Sequence, residues 1–236
     1  MRGLPIGHGE VWHDPEQRRM LIGMAALAMV PFLGLVLPGW GMTSFDGYFA
    51  WLAAPAIGLL AAFAAFSWQR YPLLFKRLGI GAIAGLMGAL AYDTIRIVGE
   101  GFGWFSAGSA LGMQVMGTGL TPSWQAMAEN TFIRWVVFGA LWGLAYGLVA
   151  GKASWAYGVA TGLWLGGVTL LASWLAPNGS LFGPAMTLVG TVSWLVGAGI
   201  FGAVMGGLNE ALQPDTRFSG KIIFLRDYQT RVHQRK

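Results

Sequence analysis

Six apolar stretches divide the chain, at about 20–37, 49–68, 78–98, 132–150, 155–175 and 187–208, each bounded by polar or glycine- and proline-rich residues. A helix needs roughly 20 residues to cross a hydrocarbon core of about 30 Å, so the pattern predicts an all-α polytopic membrane protein with six transmembrane helices. Pro31 and Pro55 fall inside the first two stretches. They are expected to kink those helices, which a bilayer tolerates where neighbours satisfy the freed carbonyls. Between 99 and 130 the pattern changes. GFGWFSAGSALGMQVMG is mostly apolar or small, yet too short to cross. One interfacial or re-entrant segment on the outer face is expected there. In TPSWQAMAEN, Thr121 suits an N-cap and Pro122 the first helical position, so the fourth helix should begin outside the bilayer.

Within four of the stretches small residues recur every fourth position: Gly81, Gly85 and Ala89; Gly139, Gly143, Gly147 and Gly151; Gly158, Gly162 and Gly166; Ala198, Gly202 and Gly206. Such GxxxG stripes let helix backbones approach closely, so spans three to six are expected to form a tight bundle with the first two at its side. The stripes also hint at duplication. GAIAGL at Gly81 resembles GVATGL at Gly158, an offset of 77, and the stripe from Gly139 resembles the one from Ala198, an offset of 59. Spans three and five enter from the same side, so the expected relation is a parallel repeat about an axis along the membrane normal.

Composition strengthens the membrane reading. Charged residues make up 11% of the chain and hydrophobic ones 55%, whereas soluble domains carry about 25% charged residues. The net charge of +5 is explained by topology rather than by nucleic acid, because the Lys and Arg residues are sorted by side. Three precede the first span, three fall in QRYPLLFKR, one is Lys152 and six lie in the last twenty residues, which leaves only Arg96 and Arg134 near outer helix ends. Both termini are therefore expected in the cytoplasm, most naturally at a bacterial cytoplasmic (inner) membrane. On this reading 1–19 is a cytoplasmic tail, 20–210 the transmembrane domain and 211–236 a basic cytoplasmic tail. A cleaved signal is not expected. The polar stretch before the first span is long and partly acidic, and VLPGWG at the end of that span offers no small-residue cleavage site.

Several chemistries are excluded by residue type. There is no cysteine, hence no disulfide, thiol catalysis or cysteine-ligated iron. All three histidines, His8, His13 and His233, lie in the tails, so no embedded metal or haem ligand set is expected and no cofactor is ligated by this chain. No lysine lies mid-span for a Schiff base, and GxSxG, HExxH and P-loop motifs are missing. Met113, Met116 and Met127 lack accompanying Cys or His, so packing explains them better than soft-metal traffic.

The candidate site is a charge cluster near the outer end of the third span. Asp93, Arg96 and Glu100, spaced by three and four residues, share one helix face, and Glu129 and Arg134 are expected to close over them from the start of the fourth. Three readings stay open: an ion pair that finishes the helix end, an outer site for an ion, proton or polar headgroup, or a docking contact for another subunit. The chain also carries twelve tryptophans, and Trp142, Trp164 and Trp194 are candidates to wall a groove for lipid, quinone or carotenoid. The basic tail suits anionic lipid. Together these features predict a non-catalytic integral subunit, an accessory or scaffold component of a larger, energy-transducing membrane complex. It would bind membrane lipids, other membrane subunits or further copies of itself. The alternative is a small permease or channel with its polar site at Asp93, Arg96 and Glu100.

Overall fold

The computed structural model describes residues 15–33, 45–103, 133–175 and 188–213. The regular structure among them is entirely helical: α1 (Pro15–Leu33), α2 (Ala54–Arg70), α3 (Pro72–Gly101), α4 (Leu141–Ala150), α5 (Trp155–Leu175) and α6 (Leu188–Leu212). Four helices are long and apolar enough to cross a membrane: Ala50–Arg70, Pro72–Gly101, Trp155–Ala172 and Leu188–Leu212. They suggest an integral membrane protein. The surface agrees, since large apolar side chains such as Trp51, Trp68, Trp164 and Leu188 are mostly exposed. The interfacial segment and the cap at Thr121 lie outside the described residues, as do both tails beyond Pro15 and Gln213.

Two helices carry a widened π-helical turn. Phe49–Ala53 leads into α2, whose Pro55 sits in the first turn. A proline offers no N–H to the carbonyl four residues back, so a local change of hydrogen-bond spacing accommodates it without a break. The second, Ile133–Ala140, leads into α4. Pro31 lies in the last turn of α1.

A single residue separates α2 from α3. Tyr71 (φ −135°, ψ 67°) precedes Pro72, whose ring disfavours helical geometry in the residue before it and whose fixed φ starts the next helix. The third helix therefore begins six residues before the start expected from hydropathy and takes in Lys76 and Arg77. Its 30 residues span about 45 Å at 1.5 Å per residue, more than the roughly 30 Å hydrocarbon core. Arg70 at the end of α2 reaches Glu16 of α1 at 3.1 Å, an exposed pair worth at most about 1 kcal/mol. Burial holds α1 and α2 more firmly: Leu21 and Met24 of α1 and Leu60 of α2 pack on Leu74, Leu141 and Leu148 of α3 and α4. The Tyr48 hydroxyl donates to the Val30 carbonyl and ties the entry of α2 to α1.

Glycine sets the geometry of the other contacts. A Cβ at Gly81 would collide with the Gly143 carbonyl and lie 3.1 Å from Gly147 Cα; one at Gly158 would collide with the Gly202 carbonyl and meet Gly206 Cα at 2.5 Å. At Gly85 the obstacles are Gly139 O and the backbone of Gly143, and at Gly162 they are Ala198 O and the backbone of Gly202. Thus α3 packs on α4, and α5 on α6, by the same atoms, at the offsets of 77 and 59 seen in the sequence. The two hairpins are structural repeats.

Their mutual packing is unequal. Helices α3 and α6 touch closely: a Cβ at Gly88 would stand 2.9 Å from Phe201 O, and the Tyr92 ring lies against Gly197. The equivalent pair, α4 and α5, does not approach closely and meets through aromatic side chains. Helix α4 stops at Gly151, whose φ of +56° is a left-handed conformation that glycine adopts without strain. Glu210 of α6 then accepts the first N–H of α5, from Trp155, at 2.7 Å. Glu210→Gln is expected to weaken this cap and cost about 0.5–1 kcal/mol, read as a lowered unfolding temperature in detergent.

Candidate functional site

The face of α3 that meets its neighbours continues past the glycines into charge. From Gly85 and Ala89 the same four-residue register reaches Asp93, and Arg96 follows one turn on. Both are buried, at 7% and 6% exposure, while Glu100 is half-buried on the same helix. Ionised groups held this far from water require partners. Trp135, in the π-helical turn before α4, donates its indole N–H to the Asp93 carboxylate at 2.5 Å. The Arg96 guanidinium lies over the Tyr92 ring, 5.8 Å from its centroid. Tyr92 in turn meets Trp194 of α6 edge-on, with centroids 5.8 Å apart. The site therefore joins α3, the start of α4 and α6. Glu129 lies outside the described residues, and of Arg134 the structure describes the backbone alone.

The repeat sharpens this picture. Trp194 is the counterpart of Trp135 at the offset of 59, and it too donates its indole N–H across its hairpin, to Thr169 Oγ1 at 3.2 Å and Gly166 O at 3.3 Å. Each hairpin is thus tied, near the end where its first helix stops and its second begins, by a tryptophan from its second helix. Where the first hairpin has Asp93 and Arg96, however, the second has Leu170 and Ser173 at the offset of 77. Only the first repeat carries charge at this level.

A second polar cluster sits at the opposite end of the helices. Arg77 is 2% exposed, and Asn209 is fully buried. Gln213 donates to the Arg77 carbonyl at 3.2 Å and to Asn209 Oδ1 at 3.1 Å, while Asn209 donates to Met205 O at 2.9 Å. A Cβ at Gly151 would sit 3.4 Å from the guanidinium carbon of Arg77. The sequence pattern puts Arg77 in a loop, ends the sixth stretch at 208 and starts the tail at 211, and so misses this cluster. The signal was the register itself: Arg77, Gly81, Gly85, Ala89 and Asp93 form one run of fours, as do Phe201, Met205, Asn209 and Gln213. Arg77 and Arg96 stand roughly 28 Å apart along α3, close to a hydrocarbon thickness of about 30 Å.

No family model matches the chain, and no curated protein or solved structure matches it. Function must be argued from these sites alone.

Among the described residues no group of three or more His, Asp or Glu side chains is placed to hold a metal ion. The cluster around Asp93 offers a carboxylate, a guanidinium and the Trp135 indole donor, a set suited to holding polar groups in place. Of the three tryptophans expected to wall one groove, Trp142 and Trp164 come together, with near-parallel rings 6.4 Å apart. Trp194 faces the other seam, against Tyr92.

Proposed function

We propose that the chain is a non-catalytic integral membrane subunit, a scaffold within a larger membrane complex, with six spans and both termini on the cytoplasmic side of a bacterial inner membrane. The observation that carries this reading is the repeated backbone-to-backbone packing of α3 on α4 and α5 on α6. Helices joined this tightly leave no room for side chains or solvent along either seam, which favours a rigid frame over a moving gate. The polar groups Asp93, Arg96, Arg77 and Asn209 lie at the two ends of that frame. The exposed aromatic surface of α2 and α5 is available to lipids, lipid-like ligands and neighbouring subunits. Affinity purification from its own membranes in mild detergent, followed by mass spectrometry, tests this. A stoichiometric membrane partner is expected; a stable lone monomer would count against the reading.

A second reading has one observation in its favour. Asp93 and Arg96 are buried inside a helical bundle, and ionisable residues in such places often mark ion or proton paths. As a small permease, the protein would take its solute from the outer side at Asp93, Arg96 and Glu100. Asp93→Asn and Arg96→Ala should then abolish flux into proteoliposomes while leaving expression intact. Unchanged flux in both variants sinks that version.

A further inference from the structure

The repeats predict that α4 should approach α5 as α6 approaches α3, and it does not. In place of backbone contact, two rungs of rings bridge the gap: Trp142 with Trp164, centroids 6.4 Å apart and planes 23° from parallel, and Tyr146 with Tyr157, at 6.0 Å and 33°. Direct ring contacts range over about 4.5–7 Å between centroids, so both rungs stand toward the loose end. Carbon surfaces touch at about 3.5 Å, so a flat ring would either stack on the open face of Trp164 or part the Trp142–Trp164 pair to about 7 Å between faces. The α4 rings of the rungs are buried, at 7% for Trp142 and 5% for Tyr146. Those of α5 are open to the surroundings, at 61% for Trp164 and 44% for Tyr157. This aromatic seam is therefore buried on its α4 side and open on its α5 side, where a bilayer-borne molecule would arrive.

One polar group of these rungs lacks a role. The Tyr146 hydroxyl is buried and has no hydrogen-bond partner among the described residues. Leaving a buried hydroxyl unsatisfied is unfavourable, and tyrosine in such a place normally finds an acceptor. Flat faces that stack and a buried, unpartnered hydroxyl together fit a conjugated ring bearing a carbonyl. A hydrocarbon polyene supplies no acceptor. A phospholipid headgroup supplies no flat ring, and its phosphate would approach the Glu210 carboxylate, which caps α5 two residues before Tyr157.

We propose that the cleft between α4 and α5 binds the ring of a membrane quinone, stacked against Trp142 and Trp164, with the Tyr146 hydroxyl donating to a ring carbonyl. The role is binding and requires no electron transfer by this chain. It deepens the reading of a ligand-holding subunit by naming the ligand class. The test is titration of the full-length protein in lipid nanodiscs with decylubiquinone, read by quenching of tryptophan emission against empty-disc controls. Saturable quenching is expected. Trp164→Ala should raise the half-saturation concentration at least about 10-fold, and Tyr146→Phe, which keeps the ring and deletes the donor, about 3- to 10-fold. Trp164 is largely exposed, so its replacement should leave folding intact. Linear, non-saturating quenching in the unmodified protein would overturn the proposal, as would equal half-saturation in all three proteins. Saturation by β-carotene that is insensitive to Tyr146→Phe would overturn the ligand class. Partner capture is measured separately, so a preparation that retains its partners but ignores the quinone removes this proposal and leaves the subunit reading standing.

Discussion

Gly143→Ala is expected to destabilise the protein by about 3 kcal/mol, although alanine is the better helix former by about 1 kcal/mol. The added Cβ would overlap Gly81 O and Gly85 Cα and stand 2.6 Å from Gly85 N. All three obstacles are backbone atoms of one helix, so relief requires α3 to move away as a body. That motion would loosen the Gly139 and Gly147 contacts and draw Arg77 from its buried place. Gly202→Ala, the equivalent change in the second hairpin, would collide with the Gly158 carbonyl and meet Gly162 Cα at 3.0 Å. It should cost a similar amount. Gly58→Ala on α2, where nothing lies within 4 Å of the new carbon, should be neutral or stabilising by up to about 1 kcal/mol. Thermal unfolding in detergent measures all three, and the two hairpin variants should fall well below the Gly58 one.

The second large effect is expected at Asp93. Asp93→Leu removes the acceptor of the Trp135 indole and leaves the buried Arg96 with the half-buried Glu100 in place of two carboxylates one turn away, at an expected cost of about 3–5 kcal/mol. Asp93→Asn keeps an oxygen for Trp135 and removes only the charge, so it should lose less. Trp135→Phe, which deletes the donor, should cost about 1.5–3 kcal/mol, the range for a hydrogen bond to a charged group. The order Leu, then Asn, in unfolding temperature is the diagnostic. If the two Asp93 variants prove equally stable, the hydrogen bond to Trp135 carries no weight.

Much of the fold was legible because its determinants are periodic. Apolar runs marked the helices, and glycines every fourth residue marked the faces that meet, since only a missing Cβ lets backbones touch. The offsets of 77 and 59 were visible as numbers before their meaning was. What escaped had local causes. Hydropathy ended the third span short of Lys76 and Arg77 because charge reads as loop, whereas Pro72 starts the helix and packing buries Arg77. Gln213 read as tail, and Asn209 as lying past the sixth span, because uncharged polar residues also lower hydropathy. The outer cluster was legible as Asp93 and Arg96 on one face; its tie to Trp135 was not, because a contact between residues 42 apart leaves no mark in a single sequence. Nor could sequence reveal that the two repeats meet closely on one side and through rings on the other. That asymmetry depends on bulk: Trp142 and Trp164 stand where the other seam has Phe201 and Met87.

The central claim is that two like hairpins pack in one register, and absence of native cysteine makes it directly measurable. A Cβ at Gly139 would lie 2.8 Å from Ala89 Cβ, and one at Gly166 would lie 2.6 Å from Ala198 Cβ. A disulfide holds its Cβ atoms about 3.8 Å apart, so each pair needs a separation of about 1 Å to link. Oxidation in native membranes of Ala89→Cys/Gly139→Cys and of Gly166→Cys/Ala198→Cys should give an intramolecular cross-link in both. The mismatched pair Ala89→Cys/Ala198→Cys should give none. Failure of both matched pairs, or links formed only between separate chains, would contradict the account.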